Sequence, residues 1–331
     1  MTIGNKQWLL AQRPTGAVEE SNFRLVETAL PPLEDGKLLV KVHYLSLDPY
    51  MRGRMDDAKS YAASQPLDQV MIGATVGEVL ESKHAGYRIG DMVASGGGWQ
   101  QYFISDGAGL QKVDARALPA SVYLGTVGMP GVTAWYGLTQ IGKPAPGETG
   151  VVSAASGAVG SVVGQLAKLR GCRAVGVAGG PAKCSYVVNE LGFDACVDYK
   201  APSFGKDFAT STPKGVDFVF ENVGGAVLDA SLARMNAFGR VAVCGLIAGY
   251  GGEEISIRRA RSILVNRLTI QGFIVSEHLN LWPQALSELS ALVAQKKLKY
   301  RESIAQGIES APRAFIGLLK GENFGKQLVK M

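Results

Sequence analysis

The feature that most constrains the fold is a run of eight small residues, "AASGAVGS", at Ala154–Ser161. It follows the apolar pair Val151-Val152 and leads into "VVGQLAKLRG", a segment with a helical pattern. A strand, a turn of small residues and a helix together let a pyrophosphate approach the free N–H groups of the helix N-terminus. The run therefore predicts a dinucleotide-binding turn in a βαβ unit, formed by Gly157, Ala158, Val159 and Gly160.

The pattern Ala155-x-Gly157-x-x-Gly160 is a variant of the dinucleotide-binding fingerprint, because alanine stands where the first glycine usually lies. A tight turn with close helix–strand packing would need the same small residues. The position of the run in a βαβ unit, with five further strands predicted behind it, favours a nucleotide site over that alternative.

The segments after about Gly131 alternate between two hydrophobic patterns. Runs such as "RAVGVA" and "GRVAVCGL" are typical of buried strands, and "PAKCSYVVNELG" and "AVLDASLARMN" are typical of helices. This alternation predicts a parallel sheet with helices on both faces. The segments before about Pro130 contain strand-like runs divided by Gly and Pro, and they predict an all-β unit. We expect the last thirty or so residues to add one helix and one strand to that first unit.

The end of the second strand of the βαβ unit distinguishes NAD from NADP. NAD sites usually carry Asp or Glu there, and this acid binds the ribose hydroxyls. Here "RAVGVA" is followed by Gly179-Gly180-Pro181-Ala182-Lys183, which contains no carboxylate and one base. A lone lysine at a helix start is common on protein surfaces. The missing acid and the base together predict NADP, with Lys183 at the 2′-phosphate.

Charge, hydropathy and cysteine usage exclude several other classes. The net charge is only +5 and no basic run is interleaved with aromatic residues, so we expect no nucleic-acid partner. No apolar run has the length of a membrane span or a signal peptide, which predicts no membrane partner and a cytoplasmic location. The four cysteines are expected to be reduced thiols. With three histidines and no cysteine pair at metal spacing, no metal site is predicted.

Seven longer segments resemble one protein family. They are "LSLDPYMRGRM" (45–55), "GMPGVTAWYGL" (128–138), "AASGAVGSVVGQLAKLRGCRAVGVAGG" (154–180), "FENVGG" (220–225), "VCGLIAGY" (243–250), "IQGFIV" (270–275) and "FIGLLKGENFGKQLVK" (315–330). In collinear order they resemble the zinc-independent double-bond reductase branch of the medium-chain dehydrogenase/reductase superfamily, which includes curcumin, prostaglandin/leukotriene and plant alkenal reductases. The matches run from near the N-terminus to the last predicted strand, so they are far more specific than the glycine turn alone.

The resemblance implies an α/β protein with two domains. A GroES-like β-barrel domain would comprise residues 1–129 and 299–331, and a Rossmann domain with a doubly wound parallel sheet would comprise residues 130–298. The resemblance also implies an active site in the cleft between the domains, and a homodimer.

The resemblance further assigns roles to individual residues. Lys183 and Tyr199 would hold the 2′-phosphate of NADPH, and Asn222 would contact the cofactor near its ribose and phosphates. Tyr50 would face the substrate, and Asn323 would reach the nicotinamide half. The remaining residues would line the nicotinamide: Cys244, Gly245, Leu246, Ile247, Tyr250, Phe273, Ile274 and Val275. Simple packing would also account for Tyr199, Phe273 and Cys244.

The expected reaction is reduction of the C=C bond of an α,β-unsaturated ketone or aldehyde, with hydride transfer from NADPH to the β-carbon. Negative charge then develops on the carbonyl oxygen, and Tyr250 is the first candidate for the donor that stabilises it. The alternatives are an NADPH:quinone oxidoreductase and, less favoured, a non-catalytic NADPH-binding sensor. Two departures from the family pattern bear on substrate range: Gly251, where asparagine is common, and Gly96-Gly97-Gly98.

Overall fold

The computed structural model describes residues 4–331, and its contacts divide the chain into two compact units. The first unit extends to Leu124 and resumes at Glu302–Met331, and the second unit is Gly125–Arg301. The domain limits expected from the resemblance, after residues 129 and 298, lie close to this division and stay a prediction. Within the described range, no helix has both the length and the apolar character that crossing a bilayer requires.

The first unit is built mainly of strands. Up to Leu124 its elements are β1 (Gly4–Leu10), β2 (Phe23–Ala29), β3 (Leu38–Ser46), α1 (Tyr50–Arg54), β4 (Thr75–Ser82), β5 (Met92–Ser95), β6 (Tyr102–Ser105) and β7 (Gln111–Lys112).

The second unit alternates strands and helices. Its elements are α2 (Met129–Tyr136), a π-helix (Gly137–Gly142), β8 (Thr149–Ser153), α3 (Gly160–Leu169), β9 (Arg173–Ala178), α4 (Pro181–Asn189), β10 (Ala195–Asp198), α5 (Phe204–Ser211), β11 (Val216–Glu221), α6 (Gly225–Leu232), β12 (Met235–Val243), α7 (Ala260–Val265), β13 (Thr269–Gly272) and α8 (Trp282–Ala294). The chain then returns to the first unit with β14 (Glu302–Gln306), α9 (Ala311–Leu319) and β15 (Lys326–Lys330).

The sheet of the second unit has the order β10-β9-β8-β11-β12-β13, and every neighbouring pair of strands is parallel. Its centre is apolar, because Val151, Val175, Val219 and Val241 are all fully buried. Parallel strands that are covered on both faces consist mainly of β-branched and other apolar residues. The predicted α/β fold with a Rossmann-type sheet is confirmed.

The sheet of the first unit has the order β14-β15-β3-β4-β5-β7, and β6 also pairs with β3. The last segment of the chain is therefore part of this sheet, since β15 pairs with β3. The same segment enters the core, where Phe315 of α9 packs edge-on against Trp99, which in turn stacks on Phe23. Closure of the first unit thus depends on residues from both ends of the chain.

Several elements differ from the sequence prediction. The final segment adds two strands and not one, because the short run "ESIAQ" of β14 pairs in parallel with β15. Helix α2 was not expected: nearly all of it is buried, so it shows no amphipathic period. The predicted helix "AVLDASLARMN" ends at Leu232, and Met235 already pairs with Val216 at the start of β12.

Candidate cofactor site at the carboxyl edge of the parallel sheet

The predicted cofactor residues of the second unit follow the carboxyl ends of its parallel strands. The register aligns these ends, because Glu221 of β11 pairs with Val243 of β12, and Val243 pairs with Gly272 of β13. The predicted residues after the six strands are Gly157–Gly160 (β8), Lys183 (β9), Tyr199 (β10), Asn222 (β11), Cys244–Ile247 with Tyr250 (β12) and Phe273–Val275 (β13). The edge beyond the carboxyl ends is where open α/β sheets bind their ligands.

The turn after β8 is closed by its own backbone. The Gly157 amide donates to the Ala154 carbonyl at 2.9 Å, and Ala154 has a φ of +49°, which is uncommon for a residue with a side chain. A Cβ on Gly160 would lie 2.4 Å from the Ala154 oxygen, a contact that backbone atoms cannot relieve. Part of the demand for small residues in this turn therefore comes from the turn itself, as the packing alternative predicted.

Tyr199 and Lys200 lie beside Gly179, which directly follows β9. A Cβ on Gly179 would lie 3.0 Å from the Tyr199 ring and 3.2 Å from Cε of Lys200. The pKa of Lys183 is lowered, first by burial and then by the charge of Lys200. Asp198 is the acid in this region, and its Oδ1 accepts from the backbone N–H of Gly180 and of Lys200 at 2.8 and 2.9 Å. A dianionic group between the two ammonium groups would relieve their repulsion.

Asn222 is fixed against the end of β8. Its side-chain amide donates to the Ser153 carbonyl at 2.8 Å, and its backbone N–H donates to the Ser153 hydroxyl at 2.7 Å. The Asn222 carbonyl accepts from the Ile247 amide at 3.2 Å. Asn222 therefore joins the turn after β8 to the segment after β12.

The segment after β12 carries Cys244 and Tyr250. Burial raises the pKa of the Cys244 thiol to about 12, with a further contribution from the charge of Glu221, so the thiol is protonated at neutral pH. The Tyr250 hydroxyl lies 3.5 Å from the position that a Cβ on Gly245 would take, which places it beside the same stretch of backbone. Tyr250 itself is half-buried.

Phe273 belongs to an aromatic group on the same edge. Its ring centroid lies 5.3 Å from that of Tyr136 and 6.1 Å from that of Phe220. Tyr136 also stacks on His278 at 4.2 Å, and its hydroxyl is 2.8 Å from Nε2 of that histidine. Phe273 is thus held from two sides. Ile274 and Val275 are half-buried beside it.

Tyr50 and Asn323 lie in the first unit. Tyr50 begins α1, and burial raises its pKa, with Asp48 adding to the shift. The Asn323 side-chain amide donates to the Gly325 carbonyl at 2.8 Å. Both side chains are half-buried, and the roles predicted for them stay predictions.

Two of the three glycines in Gly96-Gly97-Gly98 have a structural explanation within the first unit, whereas a Cβ on Gly96 would meet nothing within 4 Å. A Cβ on Gly97 would lie 2.6 Å from both the Phe103 ring and the Thr75 hydroxyl, and Gly98 has a φ of +78°. At Gly251 a Cβ would meet only the Glu253 carboxylate, at 2.7 Å. That carboxylate lies at the end of a flexible side chain, so Gly251 is a less constrained departure from the family pattern.

Sequence reasoning missed three residues of this edge. Lys200 directly follows Tyr199 in "DYK", and this adjacency was the available signal. Ser153 and Glu221 end two neighbouring strands, where a polar residue after an apolar run is the only sign of a role. The Ser153 hydroxyl donates to Glu221 Oε1 at 2.7 Å.

Comparisons with known proteins identify the family. Residues 6–113 match the family model described as the N-terminal domain of oxidoreductase, and residues 158–291 match the one described as zinc-binding dehydrogenase. The chain is 45% identical to NADPH-dependent curcumin reductase of Escherichia coli (strain K12), over 99% of this chain and 97% of that protein. It is 42% identical to prostaglandin reductase 1 of Rattus norvegicus, over 98% of each protein.

A solved structure agrees with these matches. The crystal structure of CurA from Vibrio vulnificus in complex with NADPH has a TM-score of 0.94 to this chain and 44% identity, over 98% of this chain and 99% of that one. The chain belongs to the zinc-independent double-bond reductase branch of the medium-chain dehydrogenase/reductase superfamily. Among residues 4–331 of this double-bond reductase, no three His, Cys, Asp or Glu side chains are grouped as a metal ion would require.

Proposed function

We infer that the chain is an NADPH-dependent oxidoreductase that reduces the C=C bond of α,β-unsaturated ketones and aldehydes. The observation that carries this conclusion is the similarity along the whole chain to NADPH-dependent curcumin reductase and prostaglandin reductase 1. The substrates are small molecules that contain a conjugated carbonyl group.

The carboxyl edge of the parallel sheet fits NADPH. We propose that the backbone of Gly157, Ala158, Val159 and Gly160 forms the turn that binds the pyrophosphate, because α3 begins there and the first N–H groups of a helix have no intrahelical partner. Lys183 and Tyr199 would bind the 2′-phosphate, and we add Lys200 to that group because its Cε lies beside Gly179. The Lys183–Lys200 pair favours NADPH over NADH, since the added phosphate is a dianion near neutral pH.

The nicotinamide end of the site would lie at the ends of β12 and β13. The lining residues proposed are Cys244, Gly245, Leu246, Ile247, Phe273, Ile274 and Val275, with Asn222 nearer the ribose and phosphates and Asn323 contributed by the first unit. The Phe273 ring is suited to pack against the flat nicotinamide ring, because Phe220 and Tyr136 fix its orientation.

NADPH supplies the hydride for the β-carbon of the substrate. The chain's own contribution is to stabilise the negative charge that appears on the carbonyl oxygen. We propose that the Tyr250 hydroxyl donates a hydrogen bond to this oxygen and is a source of the proton for the α-carbon. Tyr50 would face the substrate and is the second candidate for the donor. Burial keeps the Tyr50 hydroxyl protonated, because it raises the pKa of that group.

A homodimer and a cytoplasmic location are further parts of the proposal. Strand β13 is an edge strand of the parallel sheet, and Leu264 on the preceding helix is 80% exposed, which suits a contact with a second copy. All four cysteines are free thiols, as a reducing compartment would keep them.

A substrate panel tests the proposed reaction. NADPH oxidation is followed with enones and enals on one side and quinones on the other. We expect steady turnover with conjugated alkenes and identification of the saturated ketone or aldehyde as product. Turnover with quinones alone would make the protein a quinone oxidoreductase, and NADPH binding without turnover would favour the sensor.

The role of Tyr250 is tested by Tyr250→Phe. Removing the hydroxyl should lower kcat by about 100-fold and leave the Kd for NADPH within about twofold, because the donor acts on the substrate oxygen. Tyr123→Phe is the matched control, since the Tyr123 hydroxyl donates to the Asp114 carbonyl in the first unit and no role is assigned to it. Unchanged turnover in Tyr250→Phe would move the donor role to Tyr50.

A further inference from the structure

A buried carboxylate lies among the cofactor turns without a role in the proposed reaction. Glu221 ends β11 and is 0% exposed. Its Oε1 accepts three hydrogen bonds, from the Ser153 hydroxyl at 2.7 Å and from the backbone N–H groups of Val223 and Gly224 at 2.6 and 2.9 Å. A carboxylate oxygen that accepts several such bonds fixes the backbone around it.

The second oxygen of Glu221 stands in contrast to the first. In the described part of the chain, Oε2 is buried and has no hydrogen-bond partner. An unsatisfied buried oxygen of this kind lowers the stability of the folded state. An apolar side chain of similar volume would avoid that cost but would leave the three donors to Oε1 without an acceptor, so the acceptor at Oε1 is what a glutamate contributes here.

The bonds to Glu221 join the turns that are proposed to hold NADPH. The Ser153 hydroxyl that donates to Glu221 also accepts from the Asn222 backbone N–H, and Ser153 is the last residue of β8, the strand that leads into the pyrophosphate turn. The Glu221 backbone carbonyl accepts from the amides of Cys244 and Gly245 at 2.8 and 3.2 Å. The turn after β8, Asn222 and the segment after β12 thus meet at one residue.

We propose that Glu221 is a positioning residue that sets the placement of these three turns relative to one another, and thereby the affinity for NADPH. This inference rests on the proposed cofactor site. Glu221 acts through Ser153, Asn222 and the backbone of residues 223–224. An acceptor at the position of Oε1 is what the role requires.

Three substitutions separate this role from a purely structural one. Glu221→Gln keeps an acceptor oxygen for the three donors and removes the charge. Glu221→Met keeps the approximate volume and removes the acceptor. Asp217→Asn is the control at the opposite end of the same strand, where Asp217 accepts from the backbone N–H of Thr149 at 2.8 Å.

The measurements are the Kd for NADPH by fluorescence titration, the KM for an enone, kcat at saturating NADPH, and thermal unfolding. We expect Glu221→Met to weaken NADPH binding at least tenfold with the enone KM within about twofold, and Glu221→Gln to restore binding to within about threefold of wild type. Asp217→Asn should bind NADPH like the wild type even where its unfolding temperature falls. Equal weakening in Glu221→Met and Asp217→Asn would overturn the proposal, because it would reduce the effect to stability.

A second variant keeps the test decisive if Glu221→Met does not fold. Ser153→Ala leaves Glu221 in place and removes the hydroxyl that joins it to Asn222. We expect about a fivefold loss of NADPH affinity, and unchanged affinity in a folded Ser153→Ala would contradict the inference.

Asn222→Ala tests the proposed cofactor site itself. If it binds NADPH normally, the proposed cofactor site is wrong; if it binds weakly while folded Glu221 or Ser153 variants bind normally, only the positioning role is wrong.

Discussion

At each end of the strand pair β8–β11, a carboxylate of β11 accepts a hydrogen bond from β8, but the surroundings of the two carboxylates differ. At the amino end, Asp217 accepts from the Thr149 amide and from the Asn236 side chain, at 2.8 and 2.7 Å. Arg240 pairs there with both carboxylate oxygens of Glu148, at 3.0 and 2.6 Å, and about a quarter of each side chain reaches solvent. These groups are satisfied, and they stabilise the sheet.

The carboxyl end contains the features that cost stability. Glu221 is fully buried with an unpaired oxygen, and Ala154 has a left-handed backbone. Burial, and then the charge of Lys200, lowers the pKa of Lys183. Such costs concentrate where a protein prepares a binding site. Hydrogen bonds of one kind, between the same two strands, thus stabilise the fold at one end and at the other hold the turns that are proposed to bind NADPH.

The largest expected difference between the two ends is in NADPH binding, after one glycine-to-alanine substitution at each end. Gly160→Ala should weaken NADPH binding about 100-fold, because the new Cβ would lie 2.4 Å from the Ala154 oxygen and displace the pyrophosphate turn. Gly142→Ala, at the end of the π-helix that precedes β8, brings a Cβ only to 3.5 Å from its nearest neighbour and should bind NADPH normally. The measurement is NADPH titration of both variants, and tight binding by Gly160→Ala would contradict the assignment of the turn.

A charge reversal at each end should give an intermediate effect. Lys183→Glu should raise the KM for NADPH by about 10- to 100-fold and change that for NADH far less, because the lost interaction is with the 2′-phosphate. Lys168→Glu is the counterpart, since Lys168 pairs with Asp194 at 2.8 Å near the amino ends of β9 and β10. It should lower the unfolding temperature and leave the preference for NADPH unchanged. Steady-state kinetics with both cofactors decide, and equal changes for NADPH and NADH in Lys183→Glu would refute the assignment.

The smallest effect is a difference in how stability depends on pH. Burial raises the pKa of Glu221, so its contribution to stability is full below the usual carboxyl pKa of 4.5 and is lost as pH rises through the folded value. Burial also opposes ionisation of Asp194, but hydrogen bonds from Lys168 and the Ala174 amide outweigh it and lower the pKa. The contribution of Asp194 is therefore present above 3.8 and is lost as pH falls through the folded value.

Urea unfolding from about pH 3 to about pH 8 measures these opposite slopes. Relative to wild type, Glu221→Gln should gain stability as pH rises, and Asp194→Asn should lose it. Parallel curves for the two variants would show that the two ends do not differ in this respect.

Much of the carboxyl edge could be located from the sequence, because the hydrophobic pattern of the chain shows where each strand ends. The turn at Gly157–Gly160 and the Rossmann-type sheet were readable in this way. The proposed role of Glu221 could not be predicted, because two of its hydrogen-bond donors, Ser153 and Gly224, come together only in the folded sheet. A glutamate at the end of an apolar run otherwise indicates exposure to solvent.

Short elements escaped prediction for a different reason. Helix α5 has Phe204 and Phe208 one turn apart and only eight residues, so its single apolar stripe is too brief to establish a period. Strand β14 has a weakly alternating sequence and depends on its pairing with β15. Such elements are set by tertiary contacts more than by local preference.

The division of the first unit between the two ends of the chain has a consequence for biosynthesis. Strand β3 leaves the ribosome long before β15, its partner, and Trp99 leaves long before Phe315. At typical elongation rates, the intervening unit takes on the order of 10 s to be made. Throughout that interval the nascent first unit exposes an unpaired backbone edge and an incomplete aromatic core, so its vulnerability to misassociation is greatest during translation and ends only when the last few residues arrive.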